Sequence, residues 1–191
     1  MMKTSGSGLR EKILETAIAL FSEKGMENVK TRELTAALGV SRSHIYHYFS
    51  DWTTLSVQAC TLFAERDLAR FNQQISTLPH RQQLEAFIAS HLPQEPDAEW
   101  QLYSSLWRKA TLESPYAALA TTLTERWNGA MAAIIEGGMQ AGVFRAGDAH
   151  QIARQLSAML NGYADLLIVV TDEHARQQAF EDLHAFIDLA L

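Results

Sequence analysis

Apolar residues recur along the chain at helical spacing. Leu9, Ile13, Ala17, Ile18 and Phe21 share one face of a first helix, which the cation–glycine pair Lys24-Gly25 closes. Thr31 offers an N-cap for a short helix through Leu38, ended by Gly39, and Ser41 caps another through about Phe49. Ser50 or Asp51 then caps a long helix from about Trp52 to Ser76. Beyond it the pattern predicts helices near 80–91, 97–111, 115–140, 148–170 and 173–190, separated by LPQEPD, ESP, QAGVFRAGD and TDE. The four prolines (Pro79, Pro93, Pro96 and Pro115) fall where helices should start or stop. No alternating β-branched stretch is long enough for a strand, so the expectation is an all-α fold of about nine helices, without internal repeats.

Length and composition narrow the class. With 191 residues, 47% hydrophobic and 20% charged, the chain suits one large globular domain or two small ones. Cys60 is the only cysteine, which excludes an intrachain disulfide and points to a reducing, cytoplasmic setting. The opening MMKTSGSG lacks an apolar segment and reads as a short flexible start rather than a signal peptide. The most apolar run, Met159 to Val170, is interrupted by Asn161 and Asp165, so no membrane span is expected.

Charge is unevenly distributed. Residues 1–55 hold seven Lys/Arg against six Asp/Glu and stand at +1; with −6 overall, the remainder carries −7. An acidic remainder disfavours non-specific nucleic-acid binding while leaving room for a local reading face.

Such a face is offered by GVSRSHIYHYFSDWTTL, Gly39 to Leu55. Helix 31–38, a glycine turn and helix 41–49 have helix-turn-helix spacing, with Leu34, Leu38, Val40 and Ile45 placed to bury between the helices. Arg42, Ser43, His44, Tyr46 and His47 are left on the outer face of the second helix, with Tyr48 near its end. Small and polar groups at a helix N-terminus suit entry into a major groove, and hydroxyls and imidazoles suit phosphates. Arg42 is the candidate for bidentate contact to a guanine. The same pattern also fits a three-helix packing with an ordinary polar surface.

The first 55 residues resemble the N-terminal domain of the TetR family of bacterial transcriptional regulators, through ILETAIALFSEKG, TRELTAALGVS, the Ile-Tyr-His-Tyr-Phe ending and Leu55. The resemblance implies a DNA-binding domain over 1–52 and a helical effector-binding and dimerisation domain over 53–191. It implies DNA contacts from Thr31, Arg32, Ser41, Arg42, Ser43, His44, Tyr46, His47 and Tyr48. It further implies a homodimer that binds operator DNA and responds to a small molecule, most often as a repressor. Two positions depart from the family pattern. Thr35 replaces a small Ala packed against the recognition helix, and Trp52 replaces a Lys that meets a phosphate, where the indole N–H can still donate.

In the second part, Trp100, Tyr103 and Trp107 share a helix face, Trp127 and Met131 form an i, i+4 pair, and Phe63, Met159 and Tyr163 could face the same interior. Read on spacing alone this is either packed core or a pocket lining; with the resemblance, a ligand pocket is expected. An aromatic cage near Glu99 or Glu113 could hold a cation. WQLYSSLWRKA, AGVFRAGD and LNGYADLL loosely resemble the choline-responsive branch of the family. Helices 148–170 and 173–190 carry Ile152, Leu156, Leu160, Leu166, Leu167, Ile168, Phe180, Leu183, Phe186 and Ile187, either an intrachain core or a four-helix dimer interface. Gly162 and Ala164 would let another helix approach closely.

No Gly-rich phosphate loop, Gly-x-Ser-x-Gly elbow or Cys-x-x-Cys occurs, so no cofactor and no enzymatic activity is expected. His44 and His47 lack a third metal ligand at suitable spacing, and Asp148, before His150, reads as a helix cap. The rival readings are a helical regulator that works through protein contacts with a degenerate DNA half, and an all-α enzyme.

Overall fold

The structure, a computed structural model, describes residues 6–92, 98–170 and 172–191. The expected flexible start, apart from its last residues, and Pro93 and Pro96 lie outside the described residues. Among the described residues there are nine α-helices and no strand: α1 (Gly6–Lys24), α2 (Thr31–Leu38), α3 (Arg42–Tyr48), α4 (Trp52–Ile75), α5 (His80–His91), α6 (Ala98–Ala110), α7 (Ser114–Gln140), α8 (Ala149–Val169) and α9 (Glu173–Ala190). A 3-10 turn, Met26–Asn28, joins α1 to α2.

Local chemistry explains the boundaries. Gly39 closes α2 in the left-handed conformation, φ 65°, a value costly for any residue with a Cβ. Ser41 begins α3 by accepting the His44 N–H. Asp51, rather than Ser50, begins α4: its Oδ1 accepts the Thr54 N–H at 2.6 Å, and that bond lowers the carboxyl pKa. Asp148 and Asp172 begin α8 and α9 in the same way, through the N–H groups of Gln151 and Ala175. Glu33 reaches back to the Lys30 N–H at 2.8 Å and closes the start of α2.

Packing divides the chain into two units. The first comprises the described residues of Met1–Asp67 and Ala98–Leu123; the second, those of Leu68–Asp97 and Thr124–Leu191. Helices α4 and α7 therefore contribute to both. In the first unit, Ile13, Ala17 and Phe21 of α1, Leu34 of α2 and Ile45 of α3 are buried with Leu55 and Ala59 of α4 and with Leu102 and Leu106 of α6. Cys60 lies in this core beside Met26, and burial pushes its thiol up to about 12, which leaves it unreactive.

The second unit buries Phe71, Phe87, Ile88, Met131, Ile135, Leu156, Leu160, Leu183 and Ile187. The aromatic ring of Phe144 lies against Gly138 of α7. The Arg145 guanidinium donates to the Asp188 and Leu189 carbonyls, and the Arg145 N–H to Leu191, so a cation meets the end of α9. Of the apolar residues on α8 and α9, Ile152, Leu156, Leu160, Leu167, Leu183 and Ile187 belong to this intrachain core. Leu166, 47% exposed, and Val169, 82% exposed, do not. No helix of the described residues is long and apolar enough to cross a membrane.

Candidate nucleic-acid interface and ligand-binding residues

The two helices of the candidate reading motif are pinned from below. Leu34, Ile45 and Phe49 are buried, while Leu38, Val40 and Tyr48 pack half-buried on the same core. Every third or fourth residue of α2 and α3 thus points inward, and the remainder is offered to solvent. On α3 the offered residues are Arg42, Ser43, His44 and His47, joined by Ser41 at the cap and by Arg32 on α2.

These side chains already interact with one another. Ser41 Oγ shares hydrogen bonds with Ser43 Oγ and His44 Nδ1, each at 2.8 Å. The Arg42 guanidinium lies 5.4 Å from the Tyr46 ring centre, within cation–π range. Tyr46 and Thr31 share a hydrogen bond at 3.1 Å that joins α3 to the start of α2. Tyr46 is half-buried, so its hydroxyl braces the two helices against each other. Thr35 also satisfies itself, donating to the Arg32 carbonyl at 2.8 Å. His44 and His47 have no third partner: no group of three or more His, Cys, Asp or Glu among the described residues is arranged to hold a metal.

Trp52 is half-buried, and its ring meets the edge of Phe21 at 6.0 Å and 86°. The indole thus stiffens the junction between α1 and α4, a packing role that spacing could not reveal. Replacing Trp52 with Lys is expected to steepen the salt dependence of DNA binding by about one unit. The same change removes the contact with Phe21 and lowers thermal stability by on the order of 1 kcal/mol. Fluorescence anisotropy across a salt series, with a melting curve, measures both effects.

Of the eight residues expected to line one pocket, four belong to each packing unit. Phe63 of α4 and Tyr103 and Trp107 of α6 come together in the first unit, with ring centres 5.3 Å apart for Phe63–Tyr103 and 6.1 Å for Tyr103–Trp107. Tyr103 donates a hydrogen bond of 2.9 Å to Oδ2 of Asp67. Trp107 is 41% exposed, which leaves this cluster open to solvent on one side. Trp100 is half-buried on the same helix.

The other four residues belong to the second unit. Trp127 is ringed by Phe71, Phe87 and His91, with centres 5.0 to 5.7 Å away, and Phe87 and His91 stack at 4.3 Å and 4°. Met131 is wholly buried in that core, and Met159 packs on it. Tyr163 donates a 2.5 Å hydrogen bond to Asp182 of α9, and this bond raises the phenol pKa. Tyr163 is thereby engaged in joining α8 to α9. Asp67, Phe71, Phe87 and His91 were missed in the sequence. Asp67 is the costliest omission, because its partner lies 36 residues away.

The carboxylates expected beside the cage are otherwise engaged in one case: Glu113 pairs with Lys109 at 2.9 Å. Asp67 is the acid that the fold brings to Tyr103, as Asp182 is brought to Tyr163.

Comparison with known proteins agrees with this architecture. A family profile described as bacterial regulatory proteins, tetR family, matches residues 13–55. A second, described as BetI-type transcriptional repressor, C-terminal, matches residues 80–191, more than half of the chain. Among solved structures, a transcriptional regulator from Saccharomonospora viridis in complex with choline is 26% identical, with 95% of this chain and 96% of that one covered and a TM-score of 0.79. A TetR family regulator from Cytophaga hutchinsonii, 17% identical, has a TM-score of 0.83 over 100% and 98% of the two chains. A TetR regulator from Haloarcula marismortui, 18% identical, gives 0.81 over 97% and 99%. At that identity the last two speak for the fold alone. No curated protein matches the chain in sequence.

Proposed function

The chain belongs to the TetR family of bacterial transcriptional regulators, and from that premise we propose that it is a cytoplasmic repressor released from its operator by an organic cation. The observation that carries the DNA-binding half is the exposed polar row Arg42, Ser43, His44 and His47, backed by the buried row of Leu34, Ile45 and Phe49. A recognition helix needs this combination: a rigid seat and short polar groups aimed outward. Arg32 and Ser41 flank the row, and Thr31, Tyr46, Tyr48 and Trp52 hold it in place. The unit boundary at Asp67 follows packing; the functional division proposed here lies near residue 52, where α4 begins after the reading helices.

The organic-cation reading is supported by Asp67 beside Phe63, Tyr103 and Trp107. It is supported as well by similarity to a regulator solved with choline. A quaternary ammonium is attracted by ring faces and by a carboxylate without needing a hydrogen-bond acceptor. Four-helix pairing of α8 and α9 with those of a second copy fits Gly162, Leu166 and Val169, which lie at i, i+4 and i+7 outside the intrachain core. A Cβ built on Gly162 would meet nothing within 4 Å, so its smallness serves no contact within the chain. In the dimer the two α3 helices address half-sites about one DNA turn, ~34 Å, apart, and the effector favours a form in which they no longer match.

DNA selected from random sequence tests the reading. Arg42→Ala is expected to lose about 1–3 kcal/mol of discrimination at one base position, whereas His47→Ala weakens binding to all sequences alike. If the wild type forms no sequence-specific complex even at low salt, the chain works through protein contacts and the DNA-binding proposal fails.

A further inference from the structure

We propose that the hydrogen bond between Tyr103 and Asp67 is a latch that ties α6 to α4 in the DNA-binding form, and that the organic cation opens it by occupying the carboxylate. The inference rests on the organic-cation reading above and adds the means by which the ligand is felt at the DNA.

The cluster has the chemistry for both states. Without ligand, the Asp67 charge is met by the Tyr103 hydroxyl at 2.9 Å. Phe63 lies about one turn before Asp67 on α4, and Trp107 one turn after Tyr103 on α6. Their planes meet the Tyr103 ring at 61° and 83°, so the ring whose hydroxyl holds Asp67 is flanked by two others turned well away from its plane. A quaternary ammonium placed there gains Coulomb attraction and cation–π contact, but it carries no N–H. It therefore competes with the phenol for Asp67 by charge and by volume rather than by exchanging one donor for another. Since the Tyr103 ring is already in edge contact with both Phe63 and Trp107, a cation placed between Tyr103 and either ring must spread them apart.

The latch stands where that displacement matters. Arg108, next to Trp107, pairs with Glu27 at 2.7 Å, in the 3-10 turn that leads into α2. Leu102 and Leu106 of α6 are buried in the core that also holds Ile13 and Phe21 of α1 and Ile45 of α3. On α4, Arg66 precedes Asp67 and reaches Glu11 and Glu15 of α1 at 3.0 and 3.1 Å. Exposed ion pairs contribute little energy singly, yet these fix which parts move together. Shifting α6 against α4 thus draws on the supports of α1 and of the turn before α2, on which the reading helices rest.

Linkage makes the consequence quantitative. If closing the latch favours the DNA-binding form, opening it costs operator affinity, and the cation must overcome the same free energy to bind. A hydrogen bond to a charged group is worth a factor of about ten or more in an equilibrium constant. Tyr103→Phe keeps the ring and removes only the donor. Three effects are expected together: operator binding without ligand about tenfold weaker than wild type, choline binding about tenfold tighter, and little further loss of operator affinity when choline is added.

The experiment uses the full-length protein, an operator selected from random DNA, and choline chloride in calorimetry and anisotropy titrations. Asp67→Asn serves as the second variant: it keeps an acceptor for the phenol and removes the charge, and choline affinity should fall at least tenfold. Opposite signs in the two variants distinguish a latch from a general loss of folding, which circular dichroism monitors in both. If wild type binds no choline, the cation reading and the latch fall together. A choline-responsive wild type with a Tyr103→Phe variant of unchanged operator affinity and response keeps the reading and overturns the latch. Weaker operator binding without tighter choline binding also overturns it, since the tyrosine would then be merely structural.

Discussion

Phe21→Ala is expected to destabilise the first unit by about 3–5 kcal/mol and to abolish operator binding near physiological temperature. Phe21 is wholly buried in α1, where its ring meets Trp52 of α4 and its backbone carbonyl accepts the Gly25 N–H that ends the helix. Removing the ring leaves a cavity beneath the junction of α1 and α4. Rigid helices cannot collapse into a cavity of that size, so the cost includes both lost transfer energy and lost packing. Native domains are stable by only about 5–15 kcal/mol, and the loss takes a large share of that. Denaturant unfolding followed by tryptophan fluorescence measures the energy. Anisotropy with operator DNA shows whether the reading helices have lost their seat.

Gly138→Ala should be the most damaging single-methyl change in the second unit, costing about 3 kcal/mol. A Cβ at Gly138 would stand 2.1 Å from Cδ2 and 2.3 Å from Cε2 of Phe144. Those atoms belong to a rigid ring that is itself buried, so the ring must leave its position rather than rotate a flexible end aside. The Val143 and Phe144 N–H groups both donate to the Gly138 carbonyl, which ties the ring's backbone to the same residue. Overpacking of a tight core costs about 1–3 kcal/mol, and partial exposure of the ring adds to it. Gly162→Ala provides the contrast. With nothing within 4 Å, it should leave unfolding of the isolated subunit unharmed while weakening self-association through α8. Thermal melts of the two variants, with sedimentation to follow dimerisation, check both statements.

Much of the architecture was legible because local chemistry decides it. The α2, Gly39, α3 run could be read from the Ser41 cap, a left-handed glycine and spaced apolar positions, although the N-cap of α2 is Lys30 and Thr31 is already its first helical residue. The long α4, expected to end at Ser76, ends at Ile75; α8 is one residue shorter at each end than expected, and α9 spans the expected 173–190. The candidate ligand site was less legible. Helical periodicity says which residues share a face, and it placed Tyr103 and Trp107 together on α6. It does not say which face meets which; Phe63 and Trp127, both expected to line a ligand pocket, belong to different packing units. Asp67 resembles a solvated surface acid until the fold brings Tyr103 to it from 36 residues away. Trp52 carries a second role for the same reason. Its position suggests a phosphate contact through the indole N–H, and its ring also packs on Phe21, which periodicity does not show. The apolar residues of α8 and α9 were open to two readings, and burial assigns most of them to the intrachain core and leaves Leu166 and Val169 outside it.

We propose a regulator in which a seated recognition helix reads DNA and a carboxylate beside aromatic rings senses a cation. The most direct test is to titrate choline into a preformed complex of the full-length protein and its selected operator at fixed salt, following anisotropy. The neutral carbon isostere of choline serves as the control for charge. The account predicts release by choline, about tenfold in operator affinity at saturation, and little or none by the isostere. A complex that choline leaves intact, or that both compounds release equally, would contradict it.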